Sequence, residues 1–169
     1  METEKALQLA ESLLKDFTQS SNRPEVNRID LVIDRKDLKA AVKKLKVENH
    51  WGYLAAITGV DNAQYEVNPE TKEKTVIPGA GALELLYHFC EGDAVASLRV
   101  SVPYDDARVD SIYELINSVT LYEREAAELF GIEFIGTPST ERLVLPDSWP
   151  EGVFPLRKAF KGFQQEAKG

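Results

Sequence analysis

The sequence predicts an α+β domain: a mixed or antiparallel sheet flanked by helices, with an extended C-terminal arm. Three observations predict it. Apolar residues recur at spacings of three and four near the N-terminus, after Asp34, and between Val119 and Phe130, which is the period of helices with one buried face. Between Leu83 and Val102 they alternate instead, which is the period of strands. After Gly136 come Pro138, Pro146, Pro150 and Pro155, and prolines interrupt both patterns. The expected division is a core domain over residues 1–135 and an arm over residues 136–169.

The first helix is expected over residues 4–18. Ala6, Leu9, Ala10, Leu13, Leu14 and Phe17 form its stripe, and Thr3 is a candidate cap. Ser20, Ser21, Asn22 and Pro24 break it. Residues 26–33 read as a strand, with Ile29, Leu31 and Ile33 on one face. Asp34 then suits the N-cap of a helix over residues 35–47, whose inner face is Leu38, Ala41, Val42 and Leu45. Lys36, Lys39, Lys43 and Lys46 form a stripe on that helix, and residues 35–48 hold six basic side chains against Asp37 and Glu48. Such a stripe reads either as a solvated face or as a docking patch for an acidic partner or lipid headgroups.

Trp51–Val60 reads as the next strand, ended by the turn signal Asp61-Asn62. The polar connection that follows predicts a short hairpin with arms at Gln64–Val67 and Lys74–Ile77. Gly79-Ala80-Gly81 lacks a third glycine at the spacing of a phosphate loop, and a strand rather than a helix follows, so a nucleotide loop is excluded there. Strands Leu83–Cys90 and Ala94–Val102 flank the turn Glu91-Gly92-Asp93. Leu83, Leu85, Tyr87 and Phe89 point one way, while Glu84, Leu86, His88 and Cys90 point the other, where Arg99 joins them. His88 and Cys90 read as structural residues, because no partner in sequence gives either a chemical role. A short helix is expected from Asp110 or Ser111 to Asn117, and a second over Val119–Phe130.

Composition narrows the function. Twenty basic residues against 28 acidic ones give a net charge of −8, which disfavours nucleic acid. One cysteine and two histidines exclude an internal disulfide and a zinc or iron–sulfur site of the usual four-ligand kind. No stretch reaches the roughly 18 apolar residues of a membrane span. The start METEKALQ has neither the basic region nor the apolar core of a signal peptide. The expectation is a cytoplasmic chain that meets a membrane only through partners.

The stretch Leu121–Arg157 carries the most information. In the helix, Val119, Tyr122, Ala126, Leu129 and Phe130 make the apolar face, and Glu123, Arg124, Glu125 and Glu128 fill the rest. Arg124 and Glu128 stand four apart and are expected to pair along the surface. Gly131 suits the left-handed residue that ends a helix. Ile132, Phe134 and Ile135 read as a short extended piece, and Gly136 with Pro138 as a turn. The arm that follows cannot build its own core and needs a surface to lie on. Burying ~500 Å² of its apolar side chains would be worth ~12 kcal/mol before ordering costs.

Glu123-Arg124-Glu125, Glu128, Phe130-Gly131-Ile132, Phe134, Gly136, Pro138 and Arg142-Leu143 occur in an order and spacing that closely resemble the signature of the 30-kDa subunit family of respiratory complex I. That family belongs to the NADH–quinone oxidoreductases. Leu98-Arg99-Val100, Val102-Pro103 and Pro155-Leu156-Arg157-Lys158 resemble it too, so the likeness covers residues 26–160. Three positions depart from the family pattern. Thr137 stands where the family usually has histidine, Glu128 where it usually has aspartate, and Tyr122 where a tryptophan or similar residue often precedes the signature. Glu128 keeps the carboxylate. Thr137 removes a titratable ring and resembles the related subunits of membrane-bound, energy-converting hydrogenases.

The resemblance implies a structural subunit with no cofactor of its own, on the cytoplasmic side of a membrane. It implies docking on a large subunit, either 49-kDa-like beside a quinone site or its nickel–iron hydrogenase counterpart, near a small iron–sulfur subunit. Flavin, iron–sulfur clusters, quinone or a nickel–iron centre would then belong to partner subunits. The matching subunit of a hydrogenase or formate hydrogenlyase is the alternative, and an independent binding module or small enzyme is a third reading.

Overall fold

The computed structural model describes residues 2–163; the last part of the expected arm, residues 164–169, lies outside the described residues. Helix α1 spans Thr3–Leu14 and is followed by strands β1 (Thr18–Asn22) and β2 (Arg28–Ile33). A 3-10 turn, Arg35–Asp37, leads into helix α2 (Leu38–Val42), which continues as π-helix to Glu48. Then come β3 (Tyr53–Asp61), β4 (Tyr65–Val67), β5 (Lys74–Val76), β6 (Leu83–Glu91), β7 (Ala94–Val102) and β8 (Arg108–Asp110). Helix α3 (Val119–Phe130) and strand β9 (Glu133–Ile135) follow.

The main sheet is mixed. Its order is β1-β2-β7-β6-β3; β2 and β7 run parallel and every other neighbouring pair is antiparallel. The α+β architecture with a mixed sheet is thus as expected. The alternating pattern sets the register. Leu83, Leu85, Tyr87 and Phe89 of β6 face Val102, Val100, Leu98 and Ala96 of β7, and all eight are fully buried. Ile29, Leu31 and Ile33 of β2 join this face, and α1 supplies Ala6, Leu7, Ala10 and Leu14 to the core. Leu38, Ala41, Val42 and Leu45 are buried as predicted, and Asp34 caps that helical run by accepting from the Lys36 N–H. Trp51 ties α1 to the start of β3, donating from its indole to the Ala6 carbonyl at 3.0 Å.

The other face of the sheet is polar and partly covered by its own side chains. Arg99 donates twice to Glu84, at 2.8 Å each, and once to Asp30 at 3.1 Å, joining β7 to both neighbours. These bonds hold the Glu84 carboxyl below its usual pKa, against the opposing effect of burial. The His88 ring lies between hydroxyls, with Nδ1 2.9 Å from Ser97 and Nε2 3.0 Å from Thr58. Burial lowers its pKa and raises that of Cys90, which favours the uncharged form of each.

Several expectations require correction. The first helix ends at Leu14, not at residue 18, because Thr18–Asn22 form the outer strand β1 on β2. A strand reading Thr-Gln-Ser-Ser-Asn at an exposed sheet edge carries no apolar alternation to announce it. Thr3 begins the helix rather than capping it, and Leu7 takes the buried place expected of Leu9. The helix expected over residues 111–117 is absent. That segment forms turns, and β8 before it pairs in parallel with β9. The hairpin after Asp61 is present, with Tyr65–Val67 antiparallel to Lys74–Val76. In the lysine stripe, Lys36 pairs with Asp34 at 3.4 Å, Lys39 with Glu114 at 3.0 Å, and Lys46 donates to the Gly52 carbonyl.

Candidate functional site

The signature residues gather around α3 and the chain that returns to it. Val119, Ala126 and Phe130 are buried, with Tyr122 and Leu129 half-buried beside them. Phe130 rests on Gly59 of β3, where an added Cβ would lie 2.5 Å from the ring. Tyr122 donates to the Ala55 carbonyl at 2.9 Å. These contacts seat α3 against the sheet edge. Gly131 ends the helix in the left-handed conformation, φ 69°, as expected, and its N–H returns to the Ala127 carbonyl. The same glycine makes room for Phe154, since a Cβ there would lie 2.4 Å from that ring.

Arg124 and Glu128 do not pair with each other. Both charges are spent on the backbone of the arm. Arg124 donates to the carbonyls of Glu141 and Arg142, at 2.7 Å each. Glu128 accepts the N–H groups of Leu143, Val144 and Leu145 at 3.0, 2.8 and 3.2 Å. A carboxylate that meets three backbone donors gains more than a surface ion pair offers. Arg142 continues the scheme, donating to the carbonyls of Pro146 and Trp149 at 2.6 and 2.7 Å.

The second anchor is Arg157. It donates to the Phe130 and Gly131 carbonyls at 2.7 and 3.3 Å, at the end of α3 where the helix dipole favours a cation. Its guanidinium also lies 4.6 Å from the centre of the Phe154 ring. Leu156 N–H bonds to the Leu129 carbonyl, and Lys158 N–H to Asp61 at 2.7 Å. Asp61 is buried and also accepts from the Ala63 N–H and the Tyr104 hydroxyl. Its role in holding the arm was not legible, because Lys158 is 97 residues away in sequence. Pro155 packs half-buried before this anchor; Pro138 is exposed in the turn after Gly136, where φ is 85°.

Glu123 differs from the other charges of α3. It is 1% exposed and accepts from the Ser111 hydroxyl at 2.7 Å and the Ile112 N–H at 3.0 Å. Burial raises its pKa against those bonds. It fastens α3 to the segment that follows β8. Glu125 is exposed, beside Leu129 and the 51%-exposed Leu156. Within the arm Trp149, Phe160 and Phe163 cluster with ring centres 5.0 to 6.1 Å apart, and Phe163 meets the other two edge to face. Leu143, Val144, Leu156 and Phe163 remain largely exposed. Among the described residues, no group of three or more His, Cys, Asp or Glu side chains is placed to hold a metal ion, and no helix is long and apolar enough to cross a membrane.

The family described as the 30-kDa subunit of the respiratory-chain NADH dehydrogenase matches residues 31–166. The chain is 29% identical over 160 residues to a subunit of the F420H2 dehydrogenase of Methanosarcina mazei, spanning 92% of this chain and 91% of that one. It is 37% identical over 69 residues to the membrane-bound hydrogenase subunit beta of Pyrococcus furiosus, covering 41% of this chain and 40% of that one. Among solved structures it resembles Nqo5 of a trypsin-resistant fragment, with a TM-score of 0.59 at 25% identity, covering 82% of this chain and 99% of the other. Sequence and fold agree: the chain belongs to the 30-kDa subunit family of complex I-type enzymes.

Proposed function

We propose that this chain is a structural subunit in the peripheral arm of a complex I-type oxidoreductase. Its C-terminal arm docks on the large subunit of that complex, next to the small iron–sulfur subunit, on the cytoplasmic side of a membrane. The observation that carries this reading is the use of the signature charges. Arg124, Glu128, Arg142 and Arg157 all bond backbone groups of the arm or of the helix it returns to. The arm is thereby held in one shape with Leu143, Val144, Leu156 and Phe163 facing out. A pre-shaped apolar surface loses less entropy on docking than a free tail would. Electron transfer belongs to the partners in this reading, which is supported by the likeness to subunits named for an NADH dehydrogenase, an F420H2 dehydrogenase and a membrane-bound hydrogenase.

A tagged pull-down from gently solubilised membranes, with partners identified by mass spectrometry, tests it. The expected partners are flavin- and NADH-binding subunits with a quinone-type large subunit. A nickel–iron large subunit with antiporter-like membrane proteins would move the chain to the hydrogenase branch, in keeping with Thr137. Recovery of the chain alone from the soluble fraction would overturn the scaffold reading.

A further inference from the structure

A cavity of about 440 Å³ lies between α3, β9 and the turn into the arm. That volume falls in the range of sites that receive a ligand or an inserted side chain. Ala127, Ile132 and Phe134 supply apolar wall. Four carboxylates line it, those of Glu123, Glu128, Glu133 and Glu141, against the single guanidinium of Arg124. Arg124 and Glu128 are already engaged with the arm backbone. Glu133 and Glu141 are exposed, and Glu123 is buried, bonded by the Ser111 hydroxyl and the Ile112 N–H, with the Thr137 hydroxyl also at its carboxylate. A carboxylate has about four acceptor sites, so Glu123 retains capacity. Among the described residues, Glu123, Glu133 and Glu141 make no ion pair.

Resting on the scaffold reading, we infer that this cavity receives a lysine or arginine side chain from the partner subunit on which the arm docks. Its apolar wall takes the methylene stem and its carboxylates take the cationic head. A polypeptide donor fits better than a free cation, because the exposed Ile135 at the cavity and Leu143 on the adjoining arm offer contact for the flanking residues. Burial raises the Glu123 pKa, and a cation brought alongside offsets that cost.

The test uses the full chain in its cellular complex. A photo-crosslinking benzoylphenylalanine replaces Thr140, a lining residue, and the linked peptide is mapped. The expected product is a partner peptide bearing Lys or Arg beside the linked position. Changing that basic residue to Met should lower retention of this chain at raised salt by ~tenfold. Glu133→Lys with Glu141→Lys should do the same, as should Thr137→Trp, which fills the space, while the isolated variants keep their melting temperature. Thr137→Ser should be retained like the parent. Crosslinks confined to this chain within an assembled complex would overturn the cavity proposal and leave the scaffold reading standing. Failure of the parent chain to assemble with any partner would overturn both. Micromolar binding of spermidine to the isolated chain, with loss of the crosslink, would assign the cavity to a free cation and overturn the polypeptide donor.

Discussion

In the hairpin of β6 and β7, Tyr87 faces Leu98 and Phe89 faces Ala96, all fully buried. In the arm, Leu143 and Val144 are exposed, and their place is set by N–H bonds to Glu128. The sheet is held by apolar area removed from water, spread over many side chains. The arm is held by a few charged groups that grip backbone, each worth ~1.5–3 kcal/mol at most. A structure of the first kind loses stability as a whole when it is cut. A structure of the second kind can lose its shape while the domain beneath it stays folded. The arm is therefore the part of the molecule whose form depends on single residues.

The largest effect separates the two regions from the sheet side. Leu98→Ala leaves a hole under Tyr87 and should cost ~2–5 kcal/mol in urea unfolding, with arm and sheet destabilised together. Glu128→Ala strips three N–H groups of their acceptor. It should cost ~1–3 kcal/mol locally, read as faster proteolysis within residues 141–149 and little change in the urea midpoint. Glu84→Gln tests the polar face of the sheet. Its depressed pKa means that its contribution is full above the unfolded carboxylate pKa and is lost as pH falls through the folded value. The parent should lose stability below about pH 4.5, and the variant should show a flatter acid limb, lower by ~1–2 kcal/mol at neutral pH. Glu125→Ala should change stability by under ~0.5 kcal/mol yet weaken recovery of the complex in the pull-down. Normal assembly of Glu125→Ala and of Arg124→Ala would show that the arm and its helix do not form the interface.

The same contrast explains what was legible in the sequence. β6, β7 and α3 could be read because their apolar periods are long, and Gly131 marked the end of α3 by its own chemistry. β1 could not, because a polar edge strand borrows its structure from β2. Arg124 and Glu128 have ideal spacing for a pair, but the returning arm offers better partners, and nothing local announces it. Glu123 looked like a surface charge for the same reason. Its carboxylate accepts from Ser111 and Ile112, which lie outside the helix. The resemblance marked these positions as important without saying what each one holds.

Amide hydrogen exchange on the isolated chain, parent against Glu128→Ala, asks whether the signature charges shape the arm. Protection should be lost at Leu143, Val144 and Leu145 by ~tenfold or more, corresponding to about 1.4 kcal/mol, while β6 and β7 keep theirs. Unchanged protection at those three amides, or equal loss throughout the sheet, would contradict the role given to Glu128 and its neighbours.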